Sequence, residues 1–192
     1  MNVVLVHGFL DSASLMRRVS EPLSRAGHSC HAPSLKPCDG RAGLEALSGQ
    51  LAGFIEAAFP RGEPFAIVGF SMGALVSRHY LQAGGGAGRV RAFFSVGGPH
   101  QGTYTAYLYP GKGTRQMRFG SAFLSGLAAG SHALVDLCVV SYWSPYDAMI
   151  RPVSSAWLPV GERVRVPALL HVGMLSHPRL HADLCVRLRT LR

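Results

Sequence analysis

Runs of only a few consecutive apolar residues recur along this chain, and the stretches between them carry helical spacing. Val3-Val4-Leu5-Val6 and Phe65-Ala66-Ile67-Val68 are the sharpest runs. Each is too short for a buried helix and offers no polar residue to water, so each predicts a strand buried on both faces. Ser29–Ala32, Val90–Val96, Leu137–Val140 and Val166–Val172 complete a set of six. Between the strands, Leu15, Val19 and Leu23 recur at helical spacing. So do Leu44, Leu47, Leu51, Phe54 and Ala58, then Met72, Val76 and Tyr80, and finally Leu180, Leu184, Leu188 and Leu191. Pro22 is expected to kink or restart the first helix. Gly27 is expected to end it, and Gly84-Gly85-Gly86 to end the third. Strands alternating with helices imply right-handed crossovers. The expected fold class is therefore α/β, three-layer αβα, with a mostly parallel central sheet of about six strands.

A chain of 192 residues fits one domain, expected over 1–192. Apolar residues make up 48% and charged residues 15%, against about 25% usually, which excludes disorder. No apolar run reaches the roughly 18 residues of a membrane span, although peripheral membrane contact stays open. The net charge is +9, but the arginines are scattered. Their one dense group, Arg187, Arg189 and Arg192, has no aromatic residues interleaved, so no nucleic-acid interface is expected. Cys30, Cys38, Cys138 and Cys185 have no metal-knuckle spacing. Cys138 and Cys185 read as small core residues, and Cys30 and Cys38 could bridge in an oxidising compartment. The first strand starts without a charged leader in front of it, so a cytoplasmic location is expected. No His/Asp/Glu group has metal-ligand spacing, and neither metal nor cofactor is expected. Oligomeric state stays open.

Gly69-Phe70-Ser71-Met72-Gly73 matches G-x-S-x-G and lies between a predicted strand and a predicted helix. In that context the serine is forced onto a sharp, exposed turn, and the glycines are needed where strand and helix approach closely. The bland alternative is a structural turn with an incidental serine. The chemical reading makes Ser71 a nucleophile. The helix N-terminus beside it favours developing negative charge.

These residues carry a family resemblance. The first strand followed by His7-Gly8-Phe9, together with the Gly-Phe-Ser-Met-Gly turn, resembles α/β-hydrolases of the small bacterial lipase and esterase type. Gly97-Gly98-Pro99-His100-Gln101-Gly102-Thr103 is similar to their G-x-P-H-x-G-T stretch, and His171-Val172-Gly173-Met174-Leu175 to their H-x-G-L-L stretch. The resemblance implies a triad in the order Ser, Asp or Glu, His. His171, His177 and His181 lie late enough. His171, expected at the end of the strand Val166–Leu170, is favoured, with His177 the runner-up. Of the intervening carboxylates, Asp136 precedes its strand and Glu162 reads as a solvated loop residue. Asp147 follows its strand and is the expected acid. The oxyanion donors would be the backbone N–H groups of Phe9 and Met72. His7 is expected to support the loop that carries Phe9, and His100 to organise its own.

The resemblance implies a small-molecule or lipid ester substrate and a minimal fold without a large cap domain. Residues 101–131 are rich in apolar side chains without periodicity. They are expected either to pack over the sheet edge or to form a partial lid and acyl-chain wall, with Phe119 and Phe123 setting chain length. Beside the ester hydrolase, an acyltransferase or thioesterase with the same triad remains open, as does a catalytically silent binding protein.

Overall fold

The computed structural model describes residues 1–83 and 86–191. The expected helix terminators Gly84 and Gly85, and Arg192, lie outside the described residues. In chain order the elements are β1 (Asn2–Val6), α1 (Arg17–Arg25), β2 (Ser29–His31), α2 (Leu44–Ala58), β3 (Phe65–Phe70), α3 (Met72–Ala83), β4 (Val90–Val96), α4 (Lys112–Gln116), α5 (Ala122–Ala129), β5 (Cys138–Trp143), β6 (Glu162–Arg165) and α6 (Pro178–Thr190). All six strands pair in parallel, in the order β2-β1-β3-β4-β5-β6.

The uninterrupted apolar runs have their physical cause in the layers. Val4, Val6, Ile67 and Phe93 face one core with α2 and α3, while Val3, Leu5, Val68 and Phe94 face the other with α1 and α6. Successive side chains of one strand thus bury on opposite faces, which leaves little place for a polar residue beyond small ones such as Ser95 and Ser141. At the end of α1, Gly27 takes φ +84 and His28 N–H donates to Leu23 O at 3.1 Å, closing the helix as expected. α1 runs through Pro22 rather than restarting there, and a 3-10 turn over Ala13–Met16 precedes it.

One expectation is corrected. The last strand is Glu162–Arg165, not Val166–Val172. Only Val166 extends the ladder, donating to Trp143 O at 2.8 Å. The strand at this edge is charged, because it has a neighbour on one side alone and its outward residues meet water. Glu162 is accordingly a strand residue, and it pairs bidentately with Arg187 of α6 at 2.8 Å through both nitrogens. Arg187 also holds Asp183 at 2.7 Å, and Tyr142 O–H donates to that same carboxylate at 2.7 Å, so α6 is fastened to β5 and β6. The pairing of Cys30 with Cys38, left open by the sequence, is not formed: all four cysteines are free thiols, and Cys38 Sγ donates to Asp11 O.

The sheet order places the site. The chain leaves β1 for β2 on one side and returns to β3 on the other. The crevice beyond the carboxyl ends of β1 and β3 is where ligands bind in open α/β sheets. His7-Gly8-Phe9 follows β1 and Ser71 follows β3.

Candidate active site

Ser71 has φ +53, in the left-handed region that side chains avoid, at a cost of order 1–3 kcal/mol. The turn is held by its neighbours: Ser71 N–H donates to Val96 O at 2.9 Å, and Ala74 N–H to Ser71 O at 3.0 Å. A Cβ on Gly69 would lie 2.6 Å from the Ala74 Cα, and one on Gly73 would strike the carbonyls of Val6 and His7. Both motif glycines are therefore dictated by backbone packed against backbone. Ser71 is half-buried and Oγ makes no hydrogen bond among the described residues.

Asp147 sits in the turn after β5 and is 2% exposed. Its Oδ1 accepts from Met149 N–H at 2.8 Å and Ile150 N–H at 3.0 Å. Its Oδ2 accepts from His171 Nδ1 at 2.7 Å. A carboxylate so loaded fixes the imidazole with its proton on Nδ1 and leaves Nε2 as the free acceptor. His171 Nε2 is buried and has no partner among the described residues. The ring packs on Phe70, the residue before Ser71, with centroids 4.7 Å apart. His171 lies in the loop after β6 and caps a short 3-10 turn, rather than ending a strand.

The other histidines are occupied elsewhere. His177 caps α6, accepting from Arg179 N–H at 3.1 Å, and His181 Nε2 meets Leu175 O at 2.7 Å. His7 is buried: Leu35 N–H donates to its Nε2 at 3.0 Å, so Nδ1 carries the proton toward Gly8 O, also at 3.0 Å. It thereby holds the loop that presents Phe9, as expected. The N–H groups of Phe9 and Met72 have no acceptor among the described residues.

Buried His100 bonds Ser95 Oγ through Nε2 at 2.7 Å. Burial, reinforced by the Arg78 charge, holds its pKa well below the usual histidine value. The folded protein keeps this ring neutral while the unfolded chain protonates it below about pH 6.5. Stability contributed here is lost as pH falls below that value. Thermal unfolding should show Tm falling between pH 7 and pH 5 more steeply in the wild type than in His100→Gln. Equal slopes would contradict the buried neutral ring.

Asp11 was not singled out by its place in the sequence. The point a Gly8 Cβ would occupy lies 2.8 Å from Asp11 Oδ2 and 3.0 Å from Ser71 Cβ, so this carboxyl borders Ser71. Burial raises its pKa against the lowering effect of His7 and His171. No local pattern marks such a residue, because its nearness to Ser71 comes from β1 lying beside β3.

A narrow cavity of about 40 Å³ opens at Ser71, with Phe9, Ala106, Tyr109, Met117 and Ile150 among its walls. Residues 101–131 form a 3-10 turn at Tyr104–Tyr107 and then α4 and α5. Phe119 and Phe123 do not line this cavity: the first packs on Tyr104, the second on His79.

The model for the palmitoyl protein thioesterase family matches residues 2–150, most of the chain. The chain belongs to the palmitoyl protein thioesterase family. No curated protein matches. Lipase B of Aspergillus fumigatus shares the fold at TM-score 0.80 and 18% identity, over 94% of this chain, which spans half the length of that lipase. The mature lipase BlEst2 of Bacillus licheniformis superposes at TM-score 0.77 and 14% identity, covering 99% of this chain and 91% of its own. The methylesterase MES16 of Arabidopsis follows at TM-score 0.69 and 12% identity, with 99% of both chains covered. The fold is that of a compact α/β-hydrolase, as the sequence resemblance implied. No helix among the described residues is long and apolar enough to cross a membrane.

Proposed function

We propose that this member of the palmitoyl protein thioesterase family is a serine hydrolase of acyl esters, with Ser71 as nucleophile, His171 as base and Asp147 as its orienting acid. The observation that carries the reading is the pairing of a buried Asp147 with His171 Nδ1 at 2.7 Å, beside a serine held at φ +53. Ser71 Oγ attacks the acyl carbonyl while His171 Nε2 takes its proton. The oxyanion is met by the N–H groups of Phe9 and Met72, each worth about 3 kcal/mol of barrier. His171 then returns the proton to the leaving group, and water repeats the cycle on the acyl-enzyme. Asp147 keeps the imidazole in the useful tautomer and stabilises the imidazolium.

The family match favours a second reading, in which the leaving group is a thiol. Both use the same acyl-enzyme, so one experiment addresses them. The protein should label with a fluorophosphonate probe, and p-nitrophenyl esters and acyl-thioesters of graded length should then be compared for turnover. Labelling with ester turnover supports the first reading, and a preference for thioesters the second. Absence of labelling would point to a silent fold.

Residues 101–131 form the wall of the acyl pocket in this reading. The pocket volume suits a short chain, and Met117 closes its apolar side. Met117→Ala is expected to raise the ratio of octanoyl to butyryl ester kcat/KM about tenfold, the scale of added methylenes in an apolar pocket. An unchanged ratio would remove this segment from chain-length selection.

A further inference from the structure

A second cavity of about 370 Å³ lies away from Ser71, walled by α3, the loop after β4, the segment before β6 and β6 itself. Its lining holds Arg78, His100, Trp157 and Arg163 beside apolar Leu158 and Pro159, and no carboxylate. Arg78 is 1% exposed and makes no ion pair among the described residues. Its Nη2 donates to Leu127 O at 2.7 Å and its Nε to Gln82 Oε1 at 3.1 Å, both neutral acceptors, while Nη1 has no partner among the described residues. Burial lowers its pKa to about 10, which still leaves it cationic at neutral pH.

Other polar groups of the cavity are likewise left without partners. His100 Nδ1 and Trp157 Nε1 are buried without partners among the described residues. The exposed Arg163 places its guanidinium over the Trp157 ring, 4.7 Å from the centroid. Its neighbour Glu162 projects to the opposite face of β6 and is taken up by Arg187. Two cations and two unpaired ring nitrogens thus share a partly apolar cavity with no counter-charge, where a buried charge calls for a partner.

We propose that this cavity binds an amphiphilic carboxylate, its head group held by Arg78 and Arg163 and its hydrocarbon part lying against Trp157, Leu158 and Pro159. Guanidinium groups match carboxylates through paired N–H donors. The volume exceeds what a bare ion fills and falls within the range of sites for small organic molecules. The site does not depend on the hydrolase reading, since Ser71 is not part of it.

Intrinsic fluorescence reads this cavity directly. The chain has only two tryptophans, and their rings, Trp143 and Trp157, lie 5.5 Å apart. Titration with octanoate should give a saturable fluorescence change, with octylamine and inorganic phosphate as controls. In Arg163→Gln, which alters an exposed side chain and keeps the fold, the apparent Kd should weaken about tenfold, as for one lost charge-assisted contact. Octylamine producing the same change would reduce the site to hydrophobic adsorption and overturn the proposal. So would inorganic phosphate matching octanoate, an unchanged Kd in Arg163→Gln, or no saturable response.

Discussion

Replacing Ser71 with alanine is expected to lower kcat for ester hydrolysis by about 10⁴-fold or more. The fold should not notice. Alanine has the same Cβ, so it bears the same strain at φ +53, and the deleted Oγ makes no hydrogen bond among the described residues. Tm should stay within about 2 °C of the wild type, the scale of a change of about 0.5 kcal/mol. Loss of activity with an unchanged Tm would tie the chemistry to this one oxygen. Turnover at the wild-type rate would remove Ser71 as nucleophile. His171→Ala belongs to the same series and should cost several orders of magnitude, whereas His177→Ala should cost little, because its Nδ1 is engaged in capping α6. The reverse order would move the base to His177.

The largest effect on stability is expected at Gly73, not at any large core side chain. Its Cα packs against the carbonyls of Val6 and His7 at the end of β1, and the obstruction to an added methyl group is backbone. A flexible side chain could swing away, but a strand buried between two neighbours cannot. Gly73→Ala should therefore exceed the usual 1–3 kcal/mol of overpacking and lower Tm by about 8 °C or more. It should also push β1 and α3 apart, and with them the N–H groups of Phe9 and Met72. Gly53→Ala in α2, where a Cβ would meet nothing within 4 Å, is the matched control and should be neutral or mildly stabilising. Equal Tm values for the two variants would refute the close approach of β1 and α3.

How much was legible in advance follows from which signals are local. The strands β1 and β3 are legible because burial on both faces leaves each an unbroken apolar run, and β4 because only Arg91 and Ser95 interrupt its apolar residues. The turn at Ser71 could be read because two glycines at fixed spacing mark where backbones touch. The pairing of Asp147 with His171 followed from chain order and family resemblance together. β6 is not legible, because an edge strand with charged residues lacks the apolar signal, which lies instead in the more apolar residues that follow it. The helices within 101–131 escaped for a related reason, since short helices interrupted by glycine show no sustained period.

Local spacing along the chain carries most of the central strands and the helices that cover them, the parallel run of the sheet, and the sharp turn on which Ser71 stands. Those properties depend on neighbours within a turn or two of chain. Packing alone settles that Asp11 borders Ser71, that Met117 rather than Phe119 or Phe123 walls its cavity, and that Arg78 and Arg163 share a second cavity with no carboxylate. Each is a matter of which faces meet after distant segments pack, and side-chain spacing along a chain carries no record of the partner a face will find.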